Sequence, residues 1–216
     1  MPDLTRKIAA VVDARRNELV TCLQRLVQIP SLPGQEQKAQ HFVADKLCSL
    51  GLGVEIVRSE LDAVKDHPAF CDDGVPFGER LNVVGRWAGT GHSARESQAR
   101  SLILNGHMDV VPTGSESLWS DSPWSGAIRG GKLYGRGSCD MKAGVTANVF
   151  AIQTLQAIGF HPAADVLIES VIGEESGGVG TLTTIAKGFK AHAAIITEPT
   201  RLHLCPVQSG ALICRA

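Results

Sequence analysis

The sequence lacks any uninterrupted apolar run near the ~18 residues that a bilayer crossing needs, so no membrane span is expected. It lacks an excess of either charge: 21 Lys and Arg stand against 22 Asp and Glu, a net charge of −1. There is then no global basic field to hold nucleic acid or an anionic membrane. Its 6 cysteines form no C-x-x-C pair, which argues against a structural zinc knuckle. It contains no G-x-x-x-x-G-K-[ST] and no in-frame G-x-G-x-x-G, which removes the phosphate-cradling and dinucleotide loops. It contains no G-x-S-x-G elbow either, because Gly173-Glu174-Glu175-Ser176-Gly177 has Glu where the first glycine should sit. Arg15-Arg16 resembles a twin-Arg signal, but Asn17-Glu18-Leu19-Val20-Thr21 brings charge and amide too early for an apolar signal core. A cytoplasmic chain is expected, with reduced and mostly buried thiols. Cys139 beside Asp140 is the one thiol placed to act as a soft ligand or nucleophile, and no His-paired cysteine signature accompanies it. There is no internal repeat and no low-complexity segment.

What is present is a globular composition: 216 residues, 44% apolar and 20% charged. Residues 4–28 carry apolar positions at helical spacing, through Ile8, Val11, Leu19, Leu23 and Leu26, until Ile29-Pro30-Ser31. A second amphipathic helix runs through Ala39, Phe42, Val43 and Leu47 and closes at Gly51. Strands are expected at 54–57, 82–87, 102–104, near 131–134, at 166–172 and at 193–196. Helices are expected at about 142–158 and 178–188, an irregular excursion at 59–80, and loops at 88–100 and 112–131. Strands alternating with helices predict an α/β fold: a layered sheet of mostly parallel strands with helices on both faces.

Four motifs fall where strands are expected to end: Gly106-His107-Met108-Asp109, Cys139-Asp140-Met141-Lys142, Gly173-Glu174-Glu175-Ser176 and Thr197-Glu198-Pro199. Open sheets of this kind hold ligands at that mouth. A carboxylate pair ~4 Å apart repels by roughly 4 kcal/mol at an effective dielectric of ~20, so several acids converging there call for a cation. His107 and Asp109 are two apart, so an extended backbone turns both to one face and sets a carboxylate beside the imidazole. Glu174 and Glu175 are adjacent and diverge on a strand; Gly173, Gly177 and Gly178 permit the turn that brings both to one site. Taken singly, each motif also has a plain structural reading. His107 then satisfies a strand-end Asp, Asp140 caps a helix, and the glutamates form a solvated turn and a strand end. Among the other histidines, His41, His67, His92, His161 and His192 read as surface or core-edge residues, and His203 alone has a route toward the site from beyond Glu198.

Together, Leu104-Asn105-Gly106-His107-Met108-Asp109-Val110-Val111-Pro112, Tyr134-Gly135-Arg136-Gly137, Asp140-Met141-Lys142-Ala143-Gly144, Gly173-Glu174-Glu175 and Thr197-Glu198-Pro199-Thr200 resemble the M20 metallopeptidase and deacylase family. Within it the likeness is to the acetylornithine deacetylase / succinyl-diaminopimelate desuccinylase group. The resemblance implies a metal-dependent amidohydrolase with two divalent cations, zinc first, with cobalt and manganese also suited to such ligands. It implies that His107 and Glu198 bind one ion, that Asp140 bridges to a second, and that Glu175 binds that second ion. Glu174 would be the general base and Asp109 would orient His107. A cis peptide after Asp140 is implied as well. The substrate would be a small N-acyl amino acid, N-acyl amine or peptide. A dipeptidase or carboxypeptidase, or a non-catalytic remnant of the fold, stands as the alternative. Family members are longer, with an inserted lid that mediates dimerisation and a returning segment that brings a further zinc-binding His. Residues 1–216 would then be the N-terminal part of the catalytic domain, with Gly210–Ala216 near the start of the lid, and the chain alone would bind metal weakly.

Overall fold

The computed structural model describes residues 2–91 and 99–206. His92, most of the expected 88–100 loop, Cys214 and the 210–216 segment lie outside the described residues. The elements are α1 (Pro2–Ala14), α2 (Arg16–Val27), α3 (Gln37–Ser49), β1 (Gly53–Arg58), α4 (Leu61–Val64), β2 (Leu81–Trp87), β3 (Leu102–His107), β4 (Ala127–Arg129), β5 (Lys132–Tyr134), α5 (Lys142–Ala157), β6 (Val166–Val171), α6 (Val179–Ala186) and β7 (Ala193–Ile196).

The main sheet has the order β1-β2-β6-β3-β7. β3 pairs in parallel with both β6 and β7, while β2 is antiparallel to β1 and to β6. Four of the five strands therefore run the same way and β2 alone is reversed. Helices cover both faces, as the α/β reading expects. On one face α2, α3 and α5 enclose a core of Leu26, Leu47, Val83, Leu104, Met108, Val149 and Ile168. On the other, α4 and α6 close a smaller core of Val64, Ile172, Val179 and Leu182, with Phe70 and Phe77 against it. Burial on both faces explains why Leu102-Ile103-Leu104 of β3 is a continuous apolar run rather than an alternating one.

Several expectations are corrected. The helix expected over 4–28 is two helices, because Arg15 sits at φ −101° and ψ 5° between them. The hydrogen bonds continue across that residue (Arg15 N–H to Val11 O, Leu19 N–H to Arg15 O), so the break is a kink that apolar spacing does not register. The strand expected at 102–104 extends to His107. The 112–131 loop contains a short 3₁₀ turn at Glu116–Leu118 and β4, which pairs with β5 as a hairpin. The expected mostly buried thiols are not found: among the described cysteines, all free, Cys48, Cys71, Cys139 and Cys205 are exposed and Cys22 is partly buried. Apolar side chains fill the core positions of the helices instead, leaving Cys48 on the outer side of α3.

Candidate metal centre

Three of the four motifs leave the same end of the sheet. His107 is the last residue of β3, Glu174 and Glu175 follow β6, and Glu198 follows β7. Parallel pairing of β6, β3 and β7 puts these three ends side by side. Asp140 departs from the expected placement: it comes from the turn that enters α5 rather than from a strand of the main sheet. The peptide joining Asp140 to Met141 is cis, as the resemblance implied. Gly144, in the first turn of α5, lets this helix meet the end of β7, since a Cβ there would lie 2.3 Å from the Thr197 carbonyl. That close approach brings Glu198 to Asp140.

The groups converge on one imidazole. His107 Nε2 lies 3.1 Å from Asp140 Oδ1, 3.7 Å from Glu198 Oε1 and 3.8 Å from Glu174 Oε2. Potential ligand atoms of His107, Glu174 and Glu198 all lie within 4.8 Å of one another, and so do those of His107, Asp140 and Glu175. All five residues named from the sequence as ligands or base are thus brought together. Glu175 stands with Asp140, as the expected grouping has it; the grouping differs in that Glu174 stands with His107 and Glu198, and that His107 belongs to both groups.

Asp109 holds the site by different atoms than the i, i+2 argument foresaw. His107 Nδ1 donates to the main-chain carbonyl of Asp109 at 2.9 Å, and the Asp109 carboxylate is 3.6 Å away. The carboxylate instead accepts the backbone N–H groups of Glu174, at 3.1 Å, and Glu175, at 3.0 Å. Fully buried, it ties the Glu174–Glu175 turn to the end of β3. A main-chain carbonyl only accepts, so Nδ1 carries the proton and Nε2 faces Asp140. Two acceptors at 3.1 Å repel unless a positive charge lies between them. In the cation-free chain that charge is a proton. Burial of the ring works against it, but the Asp109 carboxylate and carbonyl, with Glu198 and Glu174, outweigh burial and raise the pKa of His107.

The acids show the same strain. Burial, with Asp140 and Glu174 nearby, pushes Glu198 up to about 7, although His107 opposes the shift. Burial and then Asp140 raise Glu175 as well. Carboxylate oxygens gathered around one imidazole nitrogen form a donor set of N and O atoms suited to zinc, cobalt or manganese. The residues therefore fit the divalent cations that the resemblance implies.

Beside these groups opens a cavity of about 680 Å³, lined also by Asn105, Thr181, Leu182, Ile185, Ile196 and Thr200. His67 and Ala69 line it too. His67 was assigned to the surface or core edge from sequence; it is exposed, and it stands on this wall with Nδ1 accepting the Ala69 N–H. The one sequence signal for it was the length of the 59–80 excursion, since long connections inside compact domains tend to be functional. His203 is neither among the cavity-lining residues nor in the ligand groups. Cys139 is exposed and outside both.

Comparison with known proteins agrees with this geometry. Residues 103–208 match the profile of peptidase family M20/M25/M40. The chain is 31% identical over 205 residues to an N-formyl-4-amino-5-aminomethyl-2-methylpyrimidine deformylase of Halalkalibacterium halodurans, covering 94% of this chain and 42% of that protein. It is 31% identical over 187 residues to a succinyl-diaminopimelate desuccinylase of Variovorax paradoxus, covering 84% of this chain and 43% of the relative. Its fold matches human carnosine dipeptidase 1 with a TM-score of 0.69 at 20% identity, over 89% of this chain and 41% of that one. The chain thus spans less than half the length of these relatives.

Proposed function

We propose, from the premise that this chain belongs to the M20 metallopeptidase family, that it forms the N-terminal part of the catalytic domain of a di-metal amidohydrolase. The substrate class is an N-acyl amino acid or related N-acyl amine, in the manner of the acetylornithine deacetylase / desuccinylase group. The deformylase and desuccinylase names of two relatives support acyl-group removal. The observation that carries the reading is the convergence of ligand-capable atoms on His107, those of Glu174 and Glu198 in one group and those of Asp140 and Glu175 in another, each within 4.8 Å; with Nδ1 committed to a carbonyl, Nε2 is left free to ligate once its proton is displaced.

His107, Asp140 and Glu198 would hold one ion, and Asp140 and Glu175 the second, with zinc the ion we favour. Bound divalent cations supply Lewis acidity, which lowers the pKa of water and offsets negative charge on the reacting carbonyl. Glu174 has a side chain half exposed to the cavity. It takes the proton from the attacking water and returns it to the leaving amine nitrogen. The products are a carboxylate and a free amine. Asp109 keeps both glutamates in place through their backbone amides. The wall of Leu182, Ile185 and Ile196 gives the bound molecule an apolar face.

β7 is an edge strand whose four residues are all exposed, Ile196 at 60%. This supports a reading in which further chain covers it in a longer protein; the lid domain that dimerises and the further His for the second ion are part of the proposal by family resemblance alone. We place the protein in the cytoplasm. No helix among the described residues is long and apolar enough to cross a membrane.

The test is Glu174→Gln in the complete protein. Cobalt binding is expected to persist while hydrolysis of N-acyl amino acids falls by about 10²–10⁴-fold, the range for loss of a positioned base. Dipeptides assayed in parallel separate deacylase from dipeptidase. A wild-type protein that binds no divalent cation, or a variant with undiminished turnover, overturns the proposal.

A further inference from the structure

The two glutamates sit on a turn that is gripped from two sides. Asp109 holds its upper amides, as described above. Beneath it lies a buried ionic group that the site does not use: Arg80, Asp73 and Glu36. Arg80 is 1% exposed and lies just before β2. Its Nη1 donates to Asp73 Oδ2 at 2.7 Å and Oδ1 at 3.0 Å, and its Nη2 is 4.0 Å from Glu36 Oε1. Ser176, two residues past Glu174, donates its hydroxyl to Asp73 Oδ2 at 2.7 Å.

The position of Arg80 follows from strand pairing. β2 is the reversed strand, with Val83 opposite Ser170 on β6. Continuing that register sets Arg80 level with Gly173, the first residue of the turn. Gly173 has φ +67°, and a Cβ there would lie 2.5 Å from Arg80 Nη2. The guanidinium thus passes directly under the turn, and glycine is required there both by backbone sign and by space. Two residues further along β2, Asn82 Oδ1 accepts the Ile172 N–H at 3.1 Å and secures the end of β6. Burial works to raise the pKa of Asp73, but the Ser176 hydroxyl, the Val75 N–H and Arg80 together hold it below the ordinary carboxylate range. Asp73 is an ionised anchor rather than a bystander.

We infer that Arg80 and Asp73 are positioning residues for the metal centre: through Ser176 and Gly173 they fix the turn that aims Glu174 and Glu175. Buried charges are poor contributors to net stability when apolar residues of similar volume replace them, whereas they confer definite geometry in some folds. A group placed under a ligand-bearing turn has that second use.

The inference rests on the proposed metal site for its consequence but not for its first readout. In the complete protein, amide hydrogen exchange is measured without metal, and cobalt binding is followed by visible absorption. Ser176→Ala removes one hydroxyl from a partly exposed position. It is expected to speed exchange of the Glu174, Glu175, Gly177 and Gly178 amides by about ten-fold while β3 and β6 amides keep their rates. Cobalt affinity falls several-fold. Asp73→Asn gives the same pattern, more strongly; should it fail to fold, Ser176→Ala decides. Unchanged turn exchange and unchanged cobalt affinity in Ser176→Ala overturn the inference. So does a rise in exchange spread evenly over the molecule, which marks a merely structural ion pair. Local loosening in a protein that binds no cobalt leaves the positioning role standing and removes the proposed function.

Discussion

β3 and β7 lie side by side in register, Leu104 opposite Ile195, and each delivers one residue to the same site. They do so under opposite conditions. The last four residues of β3 are buried, and His107 is 1% exposed. All four residues of β7 are exposed, and the Glu198 side chain keeps 28% of its surface. His107 is fixed by packing above and below and by the Asp109 carbonyl. Glu198 is fixed by the approach of Gly144 to Thr197 and by a tight turn in which Thr200 N–H donates to the Glu198 carbonyl at 2.8 Å. One half of the centre is therefore rigid before any cation arrives. The other half has one packed flank and is free to adjust.

The sharpest way to break this contrast is with the paired residues themselves. In the 216-residue chain alone, Leu104→Ala is expected to cost about 2–5 kcal/mol of stability, as a core truncation does, while Ile195→Ala costs within about 0.5 kcal/mol. Denaturant unfolding of both variants measures the difference, and equal costs would show that the strands are equally buried in solution. Next, His107→Ala is expected to lower cobalt affinity by about 100-fold or more and Glu198→Ala by about ten-fold, because only the first removes a ligand held rigidly by its neighbours. Calorimetric titration checks the ratio.

The smallest effect is in pH. Glu198, pushed up to about 7, and His107, raised from its usual value, keep protons that a cation must displace. Cation affinity therefore climbs as pH rises through about 7, and Glu198→Gln removes about one proton from that slope. Without cation the sign for stability is reversed. The unfolded Glu198 releases its proton near 4.5 and the folded one near 7, so stability falls as pH rises between those values. A cation-free chain whose stability rises across this window would contradict the crowding of acids around His107.

The convergence of the donor residues was readable because their types are rare where they stand. A His and several acids directly after apolar strands have few reasons to be there, and all five of His107, Asp140, Glu174, Glu175 and Glu198 do meet. What could not be read was everything that depends on contact between distant segments. Apolar spacing did not show the kink at Arg15. The 59–80 excursion read only as irregular, although it supplies His67 to the cavity wall and Asp73 and Arg80 to the underside of the Glu174–Glu175 turn. Asp109 was singled out for the right neighbour and the wrong atom, since spacing on a strand says which face a side chain takes but not which group it reaches.

The sequence alone determined the alternation of strands and helices, the sheet end at which His107, Glu174, Glu175 and Glu198 gather and the N and O donor types they offer, because periodicity and residue type are local properties. The tertiary structure alone decided that β2 runs backward beside β6, that Gly144 admits the end of β7, and that Arg80 passes beneath Gly173. Those facts arise from strand order and close packing. They join residues tens of positions apart, and no local pattern encodes such distances.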